Sequence, residues 1–166
     1  WIENELKNKT EKWTVVAMHN PMYSVGKWGS DSGKNTIALS LANQLNELFV
    51  RNKVDVVLQG HDHMVSRTHP LEADGKATNE NIEKIGDIQY IKDPEGVIYV
   101  MNGPAGDQAR SEVYKHDDSL YAYAKVSQAS SWAEFVVGGE TLTVTVKTAN
   151  SGEVNDIISW GIKKSA

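Results

Sequence analysis

With 166 residues, 40% of them hydrophobic and 23% charged, the chain has an ordinary composition for one globular domain with a substantial core. A net charge of -5 gives no electrostatic reason to expect a nucleic-acid partner, and no apolar run approaches the ~20 residues of a helical membrane span. The absence of cysteine removes disulfides and thiolate metal sites, so any metal must be held by His, Asp, Glu or Asn.

The chain opens on Trp1 in what reads as the last turns of an amphipathic helix over residues 1–10, which suggests a segment cut from something longer. Trp13 to Met18 is a short β-forming run, apolar on both faces, of the kind that helices bury on a parallel sheet; His19-Asn20-Pro21 ends it. Residues 22–35 are rich in Gly, Ser, Asp and Asn and read as a loop. Ser32-Gly33-Lys34 within it invites comparison with a phosphate-binding P-loop and fails it, because Trp28 stands where the first glycine belongs and Asn35 follows the lysine. From Thr36 to about Arg51, Ile37, Leu41, Leu45, Leu48 and Phe49 recur three or four apart, the face of a helix that Asn35 or Thr36 can cap. Val54–Leu58 is a second buried strand, and it leads into Gln59-Gly60-His61-Asp62-His63.

Strand, helix and strand in this order make a βαβ unit with a right-handed crossover. Parallel strands end on the same edge of a sheet, and ligand sites of open α/β sheets lie beyond that edge. His19 follows the first strand, and His61 and His63 follow the second, so three histidines meet at one edge although 42 positions separate His19 from His61. Imidazole is the commonest neutral metal ligand near pH 7, and His-x-His after a glycine aims two of them at one small volume. Histidine at 19, 61 and 63 is therefore the candidate metal set.

Met64–Arg67 reads as a short strand, residues 68–96 as a long polar excursion, and Val97–Met101 as a strand ending in Asn102-Gly103-Pro104. His69 and His116 read as exposed loop histidines, and Arg67 as an anchor of its strand. Residues 107–130 are mixed and polar. Trp132–Val137 and Thr141–Thr148 flank the hairpin signal Gly138-Gly139, and Val154–Ile162 is the last strand before a basic tail. These antiparallel strands are expected to form a second sheet packed on the βαβ part, with no internal repeat, linker or domain boundary. The fold class expected is α/β (α+β).

Two blocks carry a family resemblance. Val15-Val16-Ala17-Met18-His19-Asn20-Pro21-Met22-Tyr23-Ser24 and, after a helix, Val54 to Arg67 with its Gly60-His61-Asp62-His63 resemble the last two metal-binding blocks of calcineurin-like metallophosphoesterases, closest to the purple acid phosphatase branch. Val97 to Gly106 and the C-terminal hairpin are similar to that branch's closing strands, so the resemblance covers nearly the whole chain. It implies a two-sheet sandwich flanked by helices, of which residues 1–166 would be a single partial domain, the C-terminal half. It also implies hydrolysis of phosphate esters at a two-metal centre of iron, zinc or manganese, with His19 and His61 on one metal and His63 on the other. Asn20, Tyr23 and Asn102 are candidates for lining the substrate cleft. A secreted or envelope location goes with the branch.

The family's earlier blocks, Asp-x-His, Gly-Asp-x-x-Asp and Gly-Asn-His, are absent, and with them the bridging aspartate and the expected catalytic residues. Three histidines do not hold two cations without a carboxylate to offset their repulsion, and alternation turns Asp62 away from its neighbours. The chain alone is therefore expected to be inactive. The alternative is a stable non-catalytic fragment, a binding or self-association module using the face that the missing half would cover.

Overall fold

In the computed structural model, which describes residues 1–29, 36–106, 113–114, 116–126, 129–150 and 152–165, the βαβ unit forms as its sequence pattern dictates. Strand β1 (Val15–Met18) pairs in parallel with β2 (Val56–Gln59), in the register Val15↔Val56 to Met18↔Gln59. Helix α1 (Ile2–Asn8) precedes this unit, and helix α2 (Thr36–Arg51) connects its two strands. Neither is long and apolar enough to cross a membrane. Ser32-Gly33-Lys34 and the proposed cap Asn35 lie outside the described residues.

Five strands make the first sheet, in the order β1, β2, β6 (Ile98–Asn102), β3 (Met64–Thr68) and β7 (Tyr121–Val126). Strand β6 runs parallel to β2, while β3 runs antiparallel to both β6 and β7. The second sheet has the order β4 (Ile82–Ile85), β5 (Ile88–Lys92), β10 (Glu153–Lys163), β9 (Thr141–Asn150) and β8 (Ser130–Gly138). Alternation on β2 and β6 explains why their sequences are apolar throughout. Val57 and Tyr99 face the helices with Leu6, Ala42 and Phe49. Val56, Ile98 and Val100 face the second sheet, against Leu142, Val144 and Trp160. The mixed α/β, two-sheet architecture is the expected one.

Three expectations are corrected. The excursion over residues 68–96 holds the hairpin β4–β5, turning through Gly86 at φ +61°, and β5 joins the second sheet by pairing in parallel with the distant β10. The mixed segment 107–130 contains β7, whose Ala124 pairs with Ser66 of β3. On α2 the buried positions are Ala38, Ala42, Asn46, Leu48 and Phe49, whereas Ile37 is 59% exposed. Small alanines let the helix lie close to the sheet, and Asn46 is drawn inward because its Nδ2 donates to the carbonyls of Glu72 and Ala73 while its Oδ1 accepts from the Tyr99 hydroxyl at 2.6 Å. Burial raises the pKa of that phenol, so Tyr99 stays a neutral donor.

Candidate metal centre

Because β1, β2 and β6 are parallel, His19, His61 and Asn102 arrive at one edge of the first sheet. Gly60 donates its N–H to the carbonyl of His19 at 3.1 Å, and a Cβ there would stand 3.2 Å from that oxygen, so glycine permits the close approach. The N–H of Asp62 then reaches back to the carbonyl of Gly60 at 2.8 Å. This closes a three-residue turn around His61, which sits at φ +68°, a strained conformation for a residue with a Cβ. The turn swings the His61 ring onto that of His19, edge to face with centroids 5.1 Å apart. His19 Nε2 and His61 Nδ1 are 3.1 Å apart, and both rings are exposed. His63 is half-buried one residue before β3.

The strained turn is held by side chains on either side of it. Gln59 Oε1 accepts from the N–H groups of Met22 at 2.6 Å and Tyr23 at 2.9 Å, and its Nε2 donates to the Tyr23 carbonyl at 2.6 Å. Asp62 is only 3% exposed; its carboxylate accepts from Ser24 Oγ at 2.8 Å and from the N–H of Trp28 at 3.0 Å. Ser24 Oγ accepts in turn from the N–H of Gly26, where a Cβ would lie 2.5 Å from the Asp62 carboxylate. Gln59 and Asp62 thus pin the loop after His19 to the end of β2. Sequence reasoning missed Gln59, although a polar residue closing an apolar strand was the available signal. It rightly turned Asp62 away from the histidines: the carboxylate faces inward and is occupied.

The other site candidates are spread. Asn20 is exposed beside His19. Tyr23 lies in the core, 7% exposed, with its ring 4.7 Å from that of Tyr99. Asn102 ends β6 at the histidine edge, where its main-chain oxygen accepts from Ser131 Oγ and its side-chain Oδ1 is buried without a hydrogen-bond partner. Among the described residues, no three His, Asp or Glu side chains are arranged to hold a metal ion. The histidine pair itself has the right chemistry and spacing for one ion. Two imidazole nitrogens each about 2.1 Å from a common cation stand roughly 3.0–3.4 Å apart at angles between square and tetrahedral.

The two histidines read as exposed are not. His69 Nδ1 meets Glu80 Oε1 at 3.0 Å, and the same carboxylate binds Arg67 at 2.7 Å, with both partners of that ion pair near 11–12% exposed. Arg67 also lies 5.0 Å from the Trp160 ring, as an anchor would. The ring of His116 is held by the Tyr114 carbonyl and by Asp118 and packs 5.1 Å from Tyr121. His69 is half-buried by a carboxylate 11 residues on, and His116 by residues two to five positions away; composition alone does not disclose either contact.

A family model for calcineurin-like phosphoesterase matches residues 1–65. An acid phosphatase of Aspergillus ficuum is 28% identical over 111 residues, covering 64% of this chain and 17% of its own length. The Fe(3+)-Zn(2+) purple acid phosphatase 12 of Arabidopsis thaliana is 29% identical over 119 residues, 64% of this chain and 21% of its own length. The chain thus spans about a fifth of the length of these relatives. A solved purple acid phosphatase from yellow lupin (Lupinus luteus) seeds shares the fold over 99% of this chain and 28% of its own, with a TM-score of 0.72 at 19% identity.

Proposed function

Taking the chain as a calcineurin-like metallophosphoesterase sequence of the purple acid phosphatase kind, we propose that it supplies the histidine side of a two-metal phosphoesterase centre. His19 and His61 hold one ion, and His63 contributes to the second. The observation that carries this reading is the His19–His61 pair, whose 3.1 Å nitrogen separation fits two ligands of one cation. Neutral nitrogen donors suit iron, zinc and manganese alike, and one relative is named for an iron–zinc pair. When bound, such a pair of ions polarises a phosphate ester and acidifies a bridging water.

The protein's own contribution is positional. The turn at His61 is strained in one direction, and Gln59 and Asp62 prevent it from relaxing, so the imidazoles meet an arriving ion with little reorganisation. Asn20 and Asn102 flank the same edge and are assigned to the substrate side of the cleft; Asn102 brings a buried acceptor that has no protein partner. Tyr23 supports the cleft from beneath, through the loop that Gln59 holds. The bridging carboxylate is assigned to a segment outside residues 1–166, since Asp62 is engaged elsewhere. The substrates are phosphate esters, acted on outside the cell or in its envelope.

Replacing His61 with Ala in the protein expressed from its complete reading frame tests the reading. Metal content by elemental analysis should fall by at least one ion per chain, and the rate on an aryl phosphate by a hundredfold or more. Unchanged metal content and rate would overturn the assignment.

A further inference from the structure

Beside the histidine pair lies a cavity of about 230 Å³, lined by Gly26, Lys27, Trp28, Asp62, Met64 and Tyr114. Its walls are fixed. Trp28 is held through its backbone by the buried Asp62 carboxylate, and Tyr114 donates its N–H to the Val25 carbonyl at 2.9 Å. Met64 is fully buried at the start of β3. The Trp28 indole is 37% exposed, and its centroid lies 5.3 Å from that of His61. The Lys27 ammonium stands 5.0 Å from the indole centroid.

We propose that this cavity is the leaving-group subsite of the phosphoesterase and that it selects esters of single-ring aromatic alcohols. The proposal rests on the metal-centre reading above. A ring-sized apolar cavity of about 150 Å³ accepts benzene, whereas pockets for larger ligands start near 300 Å³. The space here suits one six-membered ring between Trp28, Tyr114 and Met64. An ester whose phosphorus sits at the histidine edge places its alcohol next to Trp28, because the His61 and Trp28 rings touch. Trp28 and Tyr114 in the lining favour a planar aromatic group over a hydrated polyol. Asp62 closes the His61 turn through its backbone N–H and positions the Trp28 wall through its carboxylate, so the two sites are coupled by one residue.

Kinetics on phenyl phosphate and glycerol 2-phosphate with the full-length protein and its Trp28→Leu and Trp28→Phe variants test the subsite. Trp28→Leu should raise KM for phenyl phosphate about tenfold, the size of one lost aromatic stacking contact, and leave glycerol 2-phosphate within twofold. Trp28→Phe should restore most of the difference. An equal loss on both esters, or none on either, would overturn the subsite while leaving the phosphoesterase reading standing. Should neither ester turn over, the indole N–H resonance assigned through Trp28→Phe decides: a shift with phenyl phosphate and none with glycerol 2-phosphate supports the subsite, and no difference overturns it.

Discussion

The two edges of the first sheet each gather histidine, and they treat it in opposite ways. At the edge where β1, β2 and β6 end, His19 and His61 are exposed, face each other without a carboxylate between them, and sit on a strained turn. At the edge where β3 ends, His69 shares a largely buried Glu80 with Arg67, so every charge has its partner. A roomier cavity, about 630 Å³, lies at this second edge beside His69, Thr78, Glu80 and Asp117. Its carboxylates are already committed, Glu80 to Arg67 and Asp117 to the Ser119 hydroxyl. Cavity size is therefore a poor guide here. The smaller space beside the exposed histidine pair is where a ligand has something to gain, and the ion-paired cluster is where the fold does.

That contrast predicts different responses to substitution. The largest stability effect is expected at the satisfied edge. Arg67→Met leaves the largely enclosed Glu80 carboxylate with only His69 beside it and should cost about 3 kcal/mol in urea unfolding, much of it recovered by Arg67→Met combined with Glu80→Leu. Metal content in the single variant should stay at the parent value for the folded fraction. A midpoint unchanged from the parent would show the ion pair to be dispensable.

At the histidine edge the support is expected to matter more than the ligands. Gln59→Leu removes three hydrogen bonds to the 22–23 backbone and should cost about 2–3 kcal/mol. It should also increase protease cleavage in the loop after His19, which limited proteolysis would reveal. The smallest change in stability is predicted for His61→Gly. Glycine relieves the cost of φ +68° while loosening the unfolded chain, so stability should stay within about 1 kcal/mol of the parent although metal retention is lost. A drop of several kcal/mol would mean that the exposed pair is part of the fold rather than a site held ready.

Much of the histidine edge was legible in the residues because its signals are local. Apolar runs with a helix between them specify parallel strands, and parallel strands specify a shared edge, so His19 and His61 meet as the βαβ pattern requires. The pair β4–β5 was less visible: Gly86-Asp87 between isoleucines is a hairpin signal, but charged neighbours diluted it and its stabilising partner β10 is some 70 residues away. The face of α2 was misjudged by one position at its start, since periodicity marks large apolar residues and the packing there selected alanines and Asn46.

By itself, then, the sequence determined the order of elements, the parallel unit and the edge at which its histidines gather, because each follows from a period of apolar residues and a short-range turn. Tertiary structure decided which histidine is open and which is enclosed. His69 and His116 are half-buried against Glu80, Asp118 and Tyr121, while His61 is turned outward by a three-residue hydrogen bond and held there by Asp62. The support of His61 comes from the loop after His19 as well as from its own turn, and the partners of His69 and His116 are set by how their loops fold back; residue type alone does not specify either.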